Sequence, residues 1–308
     1  EIAQCLVGSE MCIRDSKETI KSGTEAAARS GYAAVCAMPN LSPVPEDAAT
    51  LAQELDLIAR DAAIDVLPYG AITRGQKGAK LADMAAMAPY VCGFSDDGHG
   101  VQSAELMREA MLEAGRLGRP IAAHCEDEPT VRADMERFRT LYGESGLTVA
   151  MHPLIRSAEA CYRSSAKAVE LATRYGADLH VLHLSTAREL DLFDRGPLSG
   201  KRITNEVCVH HLWFSDADYA RMGNFIKWNP AIKSEADRDA LRRGIADGRV
   251  DVVATDHAPH KLDEKKLPYL KAPSGGPLVQ HSLVAMLEMS RNGAVSYTHL
   301  TLPTTPYV

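Results

Sequence analysis

Six polar residues stand at or just after the ends of apolar runs, each in a different part of the chain: Asn40, Asp97, His124, His183, His211 and Asp256. His124 and His183 close their runs in AAHCED and VLHLST. A neutral imidazole flanked by apolar residues is well placed there to bind a divalent metal through one nitrogen. Asp256 closes the Val-rich run of VVATDHAPH, where a carboxylate is costly to bury unless it is paired or ligates a metal. Asp97 in GFSDDG is a fourth candidate, although Asp-Gly is also a common turn pair. Two imidazoles and two carboxylates suit zinc or a similar borderline metal. With a carboxylate base nearby, that is the apparatus of metal-assisted hydrolysis. The metal acidifies water and polarises a carbonyl, and the carboxylate moves the proton from the nucleophile to the leaving nitrogen. His99, His152, His180, His281 and His299 lack this setting and read as ordinary core or surface histidines.

Such residues need strands to present them. Nearly continuous apolar, β-rich runs occur at 32–38, 64–72, 91–95, 120–124, 179–184, 203–209 and 250–255, the texture of strands buried on both faces. Helical stretches lie between them. Residues 17–30 stop at Gly31, and 103–117 carry Leu106, Met107, Ala110, Met111 and Ala114 on one face. Residues 235–247 have Ser234 as N-cap and Gly248 as stop. This α/β alternation predicts either a (β/α)₈ barrel or a doubly wound open sheet, but no GxGxxG follows the first run. Polar strand ends converge on one mouth in a barrel and spread along an edge in an open sheet, so six of them favour the barrel.

Composition narrows the function. The 308 residues carry 34 Lys+Arg against 41 Asp+Glu, a formal charge of −7, with no basic cluster for a nucleic-acid grip. No run of 18 apolar residues is present to span a membrane, and the start has no basic segment leading into an apolar one. Seven cysteines at irregular spacing, without a CxxC pair, predict a reduced, cytoplasmic protein.

The ends differ from the middle. Residues 5–16 (CLVGSEMCIRDS) and 296–308 (SYTHLTLPTTPYV) show no usable periodicity and resemble translated sequencing-adapter sequence. The plain alternative is a natural, irregular terminus. The organisation expected is a foreign-looking stretch over 1–16, a partial barrel over 17–295 and a foreign-looking tail over 296–308, with a natural protein longer at both ends.

The set MPN (38–40), SDDG (95–98), AHCED (123–127), HLST (183–186), KWNP (227–230) and TDHAPH (255–260) resembles dihydroorotase, of the amidohydrolase superfamily. The resemblance covers about 17–295 and implies a zinc-bearing (β/α)₈ barrel that interconverts dihydroorotate and N-carbamoyl-aspartate. By the same resemblance His124 and His183 are ligands of one zinc, and Asp97 is the bridging carboxylate. Asp256 is a ligand and the general base. Asn40, Asn229 and His260 contact the substrate, and 272–280 (APSGGPLVQ) is a loop that helps close the site. His257 and His210 stand as supporting neighbours. His211 is a weaker candidate, since a His-His pair after a strand can simply face solvent.

The departure lies in the first strand. The family carries His-x-His-x-Arg just ahead of a segment like 17–19 (KET), where two histidines bind metal and the arginine grips the substrate carboxylate. Here CLVGSEMCIRDS stands in that place; Arg14 is at the wrong distance from Lys17 and no histidine flanks it. The flanking β-sandwich and the last part of the helical ring are missing too. Residues 17–100 look closer to an Asp-bridged branch and 120–290 to a lysine-bridged one. The chain as written is therefore expected to be inactive or nearly so. Other readings are a hydantoinase- or allantoinase-type cyclic amidase, or a non-catalytic subunit that scaffolds aspartate carbamoyltransferase. Homodimerisation is a further expectation.

Overall fold

The computed structural model describes residues 4–6, 11–12, 17–98, 100–101 and 103–296, with side chains from residue 17 onward. Its strands are β1 (Gln4–Leu6), β2 (Met11–Cys12), β3 (Ala34–Ala37), β4 (Leu41–Ser42), β5 (Asp65–Ala71), β6 (Gly93–Ser95), β7 (Ile121–Ala123), β8 (Leu179–Val181), β9 (Ile203–Cys208) and β10 (Val252–Ala254). Eight form one parallel sheet in the order β1-β3-β5-β6-β7-β8-β9-β10; β2 and β4 pair separately. All seven runs read from the sequence become strands, somewhat shorter than their apolar stretches. The eighth, β1, lies at residues where the sequence showed no strand pattern, paired in parallel with β3. β1 also lies beside β10, but among the described residues no ladder joins the two. The sheet thus follows a (β/α)₈ course and is incompletely closed. Arg14, His99 and His299, and the side chains of Cys5 and Cys12, lie outside the described residues.

The helices begin where the sequence supplies caps. Thr19, Asp47, Ser103, Ser157 and Ser234 each accept a hydrogen bond from the first turn or lie hydrogen-bonded to it, ahead of Ile20–Arg29, Ala48–Asp61, Ala104–Leu117, Ala158–Tyr175 and Glu235–Ala246. Ala104–Leu117 stops at Gly118, whose left-handed φ of 65° closes the helix without a Cβ penalty.

Parallel strands need covering on both faces, and alternation divides the work. Ile121, Ala123, Leu179, Val181 and Val207 point outward into the main core, against Met107, Ala110, Met111, Leu171 and Leu241 of the helices. Ala122 and Leu182 point the other way and join Cys36, Met38 and Tyr69 in a smaller inner cluster. No disulfide joins the five cysteines with described side chains, Cys36, Cys92, Cys125, Cys161 and Cys208. No helix among the described residues is long and apolar enough to cross a membrane.

Candidate metal centre

The chain's polar strand ends converge on one mouth. Asp97, His124 and His183 follow β6, β7 and β8, and one ligand atom from each lies within 4.8 Å of the other two. All three side chains are buried. His124 Nδ1 is 2.9 Å from His183 Nε2, with the rings edge to face, and 3.8 Å from an Asp97 oxygen. Asn40, at the end of β3, donates to Asp97 Oδ2 at 3.0 Å and accepts from Gln76 Nε2 at 2.9 Å. These contacts set the carboxylate's orientation from behind.

Two residues at this mouth, one of them in the cluster, carry backbone strain. His183 has φ 40° and Asp256 has φ 45°, left-handed conformations that cost a non-glycine residue of the order of 1–3 kcal/mol each. Both lie directly beyond a strand, where the strain turns a side chain into the mouth. Asp256 is buried; burial, then Asp97, then Glu206, raise its carboxyl well above the usual range. Burial does the same to Asp97, against the pull of His124. His183 is held neutral by burial and by His124. At His124 burial opposes the charge, yet the Glu126 hydrogen bond and the nearby Asp97 outweigh it and raise its pKa.

The donor set fits a divalent cation. Two imidazole nitrogens, His124 Nδ1 and His183 Nε2, face each other across 2.9 Å beside the buried Asp97 carboxylate. Buried polar groups left to each other in this way are costly, and a shared cation satisfies them together.

The other expected residues occupy the rim. Asn229 Oδ1 accepts from Ser274 at 3.1 Å. His260 Nε2 donates to the Ser274 carbonyl at 2.9 Å, which leaves Nδ1 to accept from the Lys17 ammonium at 3.1 Å. His257 Nδ1 accepts from the Leu278 and Val279 backbone N–H groups, so its protonated Nε2 faces Glu18 at 2.7 Å. The 272–280 loop is therefore tied down over the mouth. Lys227 and Lys265 also hold it: Lys227 donates to the Ala272 carbonyl, and Lys265 to those of Pro273 and Gly275. Burial lowers these amines to about 8 and about 7. Gly275 has φ 122°, and a Cβ there would stand 2.7 Å from the Ala258 carbonyl, so the close approach requires glycine.

One expectation is corrected. His211 does not face solvent; it is 2% exposed, because the short helix Val209–Trp213 folds straight back from β9 into the core. His210 beside it is fully buried. The remaining described histidines behave as ordinary ones. His152 bonds the Tyr269 hydroxyl and the Trp228 carbonyl, His180 bonds Thr204 and Glu206, and His281 is exposed.

Sequence reading missed Glu126 and Glu206. Glu126 accepts from His124 Nε2 at 3.1 Å and from Arg156. Glu206 accepts from the His183 backbone N–H at 3.3 Å. Glu126 stands two residues after His124 in AHCED, a spacing that offered a clue; Arg156, thirty residues on, offered none.

Comparison with known proteins gives the chain's family and fold. Residues 9–189 match the family model described as Dihydro-orotase-like. A dihydroorotase of Fusobacterium nucleatum subsp. nucleatum is 40% identical over 258 residues, 81% of this chain and 57% of that protein. A dihydroorotase of Staphylococcus epidermidis is 40% identical over 271 residues, 85% of this chain and 60% of that protein. The chain thus spans less than two thirds of the length of these curated relatives. Among solved structures, a D-hydantoinase superposes with a TM-score of 0.81 at 18% identity, over 97% of this chain and 68% of that one. The L-hydantoinase (dihydropyrimidinase) from Arthrobacter aurescens gives 0.84 at 19%, with the same coverage. At such identities these structures show the fold alone.

Proposed function

This chain belongs to the dihydro-orotase-like family, and we propose on that premise that its site is built to open and close a cyclic amide, interconverting dihydroorotate and N-carbamoyl-aspartate with zinc. The observation that carries the reading is the meeting of Asp97, His124 and His183, from three separate strands, within 4.8 Å. The 40% identity to proteins named dihydroorotase, against 18–19% to hydantoinases, favours the dihydroorotate ring over the hydantoin ring.

Asp97, His124, His183 and Asp256 would hold the cation. Bound there, it would supply polarisation of the ring carbonyl and acidification of water. Asp256 takes the proton of the attacking water and delivers it to the ring nitrogen as the carbon–nitrogen bond breaks. Asn40 holds Asp97 in place and, with Asn229 and His260, faces the ring's polar groups and carboxylate. Under the 272–280 loop the reacting groups are kept from bulk water. His-x-His-x-Arg is absent from the sequence ahead of Lys17, so this chain is short of two ligands and a carboxylate grip. Metal affinity and substrate orientation both suffer.

The test is to place a His-x-His-x-Arg strand ahead of Lys17 and assay dihydroorotate, hydantoin and allantoin. The expected outcome is recovered zinc binding and preferential hydrolysis of dihydroorotate, while the unaltered chain stays inactive. Asp256→Ala in the restored protein should lower turnover by about 10²–10⁴-fold. Normal turnover by the unaltered chain, or unchanged turnover in restored Asp256→Ala, would overturn the assignment.

A further inference from the structure

A second group of ligand atoms lies on the β9 side of the mouth. Cys208, the last residue of β9, and His210 and His211, in the helix that follows, each place one ligand atom within 4.8 Å of the other two. None is more than 2% exposed. His211 Nε2 lies 3.1 Å from the Pro230 carbonyl, so it carries the ring proton and leaves a lone pair on Nδ1, which has no hydrogen-bond partner. An imidazole whose other nitrogen is anchored on a backbone carbonyl is a ligand already oriented for metal.

His210 is more exacting. Neither ring nitrogen has a hydrogen-bond partner, although the residue is fully buried. Its ring stacks on Trp228 at 4.4 Å and 11°, which fixes its direction, and lies 4.2 Å from the His211 ring. A core position that needed only packing would be filled at lower cost by an apolar side chain, because each unmet buried polar atom costs about 1–3 kcal/mol. Asp256 Oδ2 lies 3.9 Å from His210 Nε2, so a carboxylate borders the group where it meets the first cluster.

We propose that Cys208, His210 and His211 form a second cation subsite, separate from Asp97, His124 and His183 and selective for a soft or borderline divalent ion. One thiolate and two imidazoles give a mixed sulfur and nitrogen donor set that zinc, cadmium and cobalt accept and magnesium and calcium do not. On binding, the Cys208 S–H bond breaks, its proton passes to solvent, and the thiolate electron pair forms the bond to the metal; no oxidant or reductant takes part. The subsite requires neither the family's substrate nor the missing histidine pair.

The experiment is a cobalt(II) titration of the metal-stripped full chain, read by the near-ultraviolet sulfur-to-cobalt charge-transfer band. The band is expected in the unaltered chain. It should vanish in Cys208→Ser and persist in Asp97→Asn, which leaves the second group intact, and in Cys125→Ser, which removes the thiol beside His124. His211→Gln should weaken cadmium binding by more than about 100-fold, since loss of a ligand costs more than loss of a partner behind one. If Cys208→Ser fails to fold, Cys208→Ala and His210→Asn read the same band. No band in the unaltered chain, or one that survives loss of Cys208, overturns the proposal. Either result leaves the dihydroorotate assay of the restored protein unaffected.

Discussion

Glu126 at the barrel mouth and Glu54 in the outer helix Ala48–Asp61 are equally buried, at 1% and 2% exposure, yet they are opposite in state. Burial pushes both carboxyls up. At Glu54 nothing opposes it: Oε2 has no partner, and the carboxyl rises from 4.5 to about 8, so the acid is neutral over much of the ordinary pH range. At Glu126 burial is outweighed by Arg156 and by the His124 hydrogen bond, which hold it far below the usual range. Depth therefore does not decide whether a carboxylate is charged; supplied partners do. Glu126 is furnished with partners that keep its charge, whereas the helix layer only tolerates Glu54 as a polar intruder.

Arg156→Met breaks the contrast from the mouth side and should cause the largest loss of stability. It leaves a buried carboxylate with His124 alone, at a cost of about 3–5 kcal/mol in urea unfolding. Pairing it with Glu126→Gln should recover most of that loss, a coupling measured as a double-mutant cycle.

Glu54→Gln attacks the contrast from the helix side, through pH. With the folded carboxyl near 8 and the unfolded one at 4.5, the folded state holds the extra proton between those values. Stability from this group is complete below pH 4.5 and is lost as pH rises through 8. The substitution should add of the order of 4–5 kcal/mol at pH 8 and nothing at pH 4, read from thermal unfolding at both. Glu126 runs the other way: its contribution is present above its unfolded value and is lost only in strong acid.

Asn40→Ala is the finest probe. It removes one hydrogen bond to Asp97 and one from Gln76, and should cost about 1–2 kcal/mol in chemical denaturation. A loss as large as that of Arg156→Met would mean the carboxylate at Asp97 depends on a single amide as much as Glu126 depends on a guanidinium.

What the sequence disclosed follows the same division. Strands β3 and β5 to β10 were readable because both of their faces are apolar, and Asp97, His124, His183 and Asp256 because each interrupts such a run at its end. The three that meet were thus visible one at a time, although their distance of approach was not. The burial of His211 was hidden, because a His-His pair looks the same whether its helix leaves the core or returns to it. The Glu126–Arg156 pair was hidden by a separation of thirty positions in the chain. β1 was hidden because residues 4–6 lie in a stretch without the longer apolar run that announced the equally short β6, β7, β8 and β10.

The order of strands in the sheet has a consequence for how the molecule comes into being. From β3 to β10 in the main sheet, each strand pairs with the sheet strand made just before it. A chain leaving the ribosome can therefore extend its sheet one unit at a time, each new helix covering the strands already laid down. The seam between β1 and β10, like the contacts of Lys17 with His260 and of Glu18 with His257, must wait for the far part of the chain, and there long-range search, rather than local growth, sets the pace.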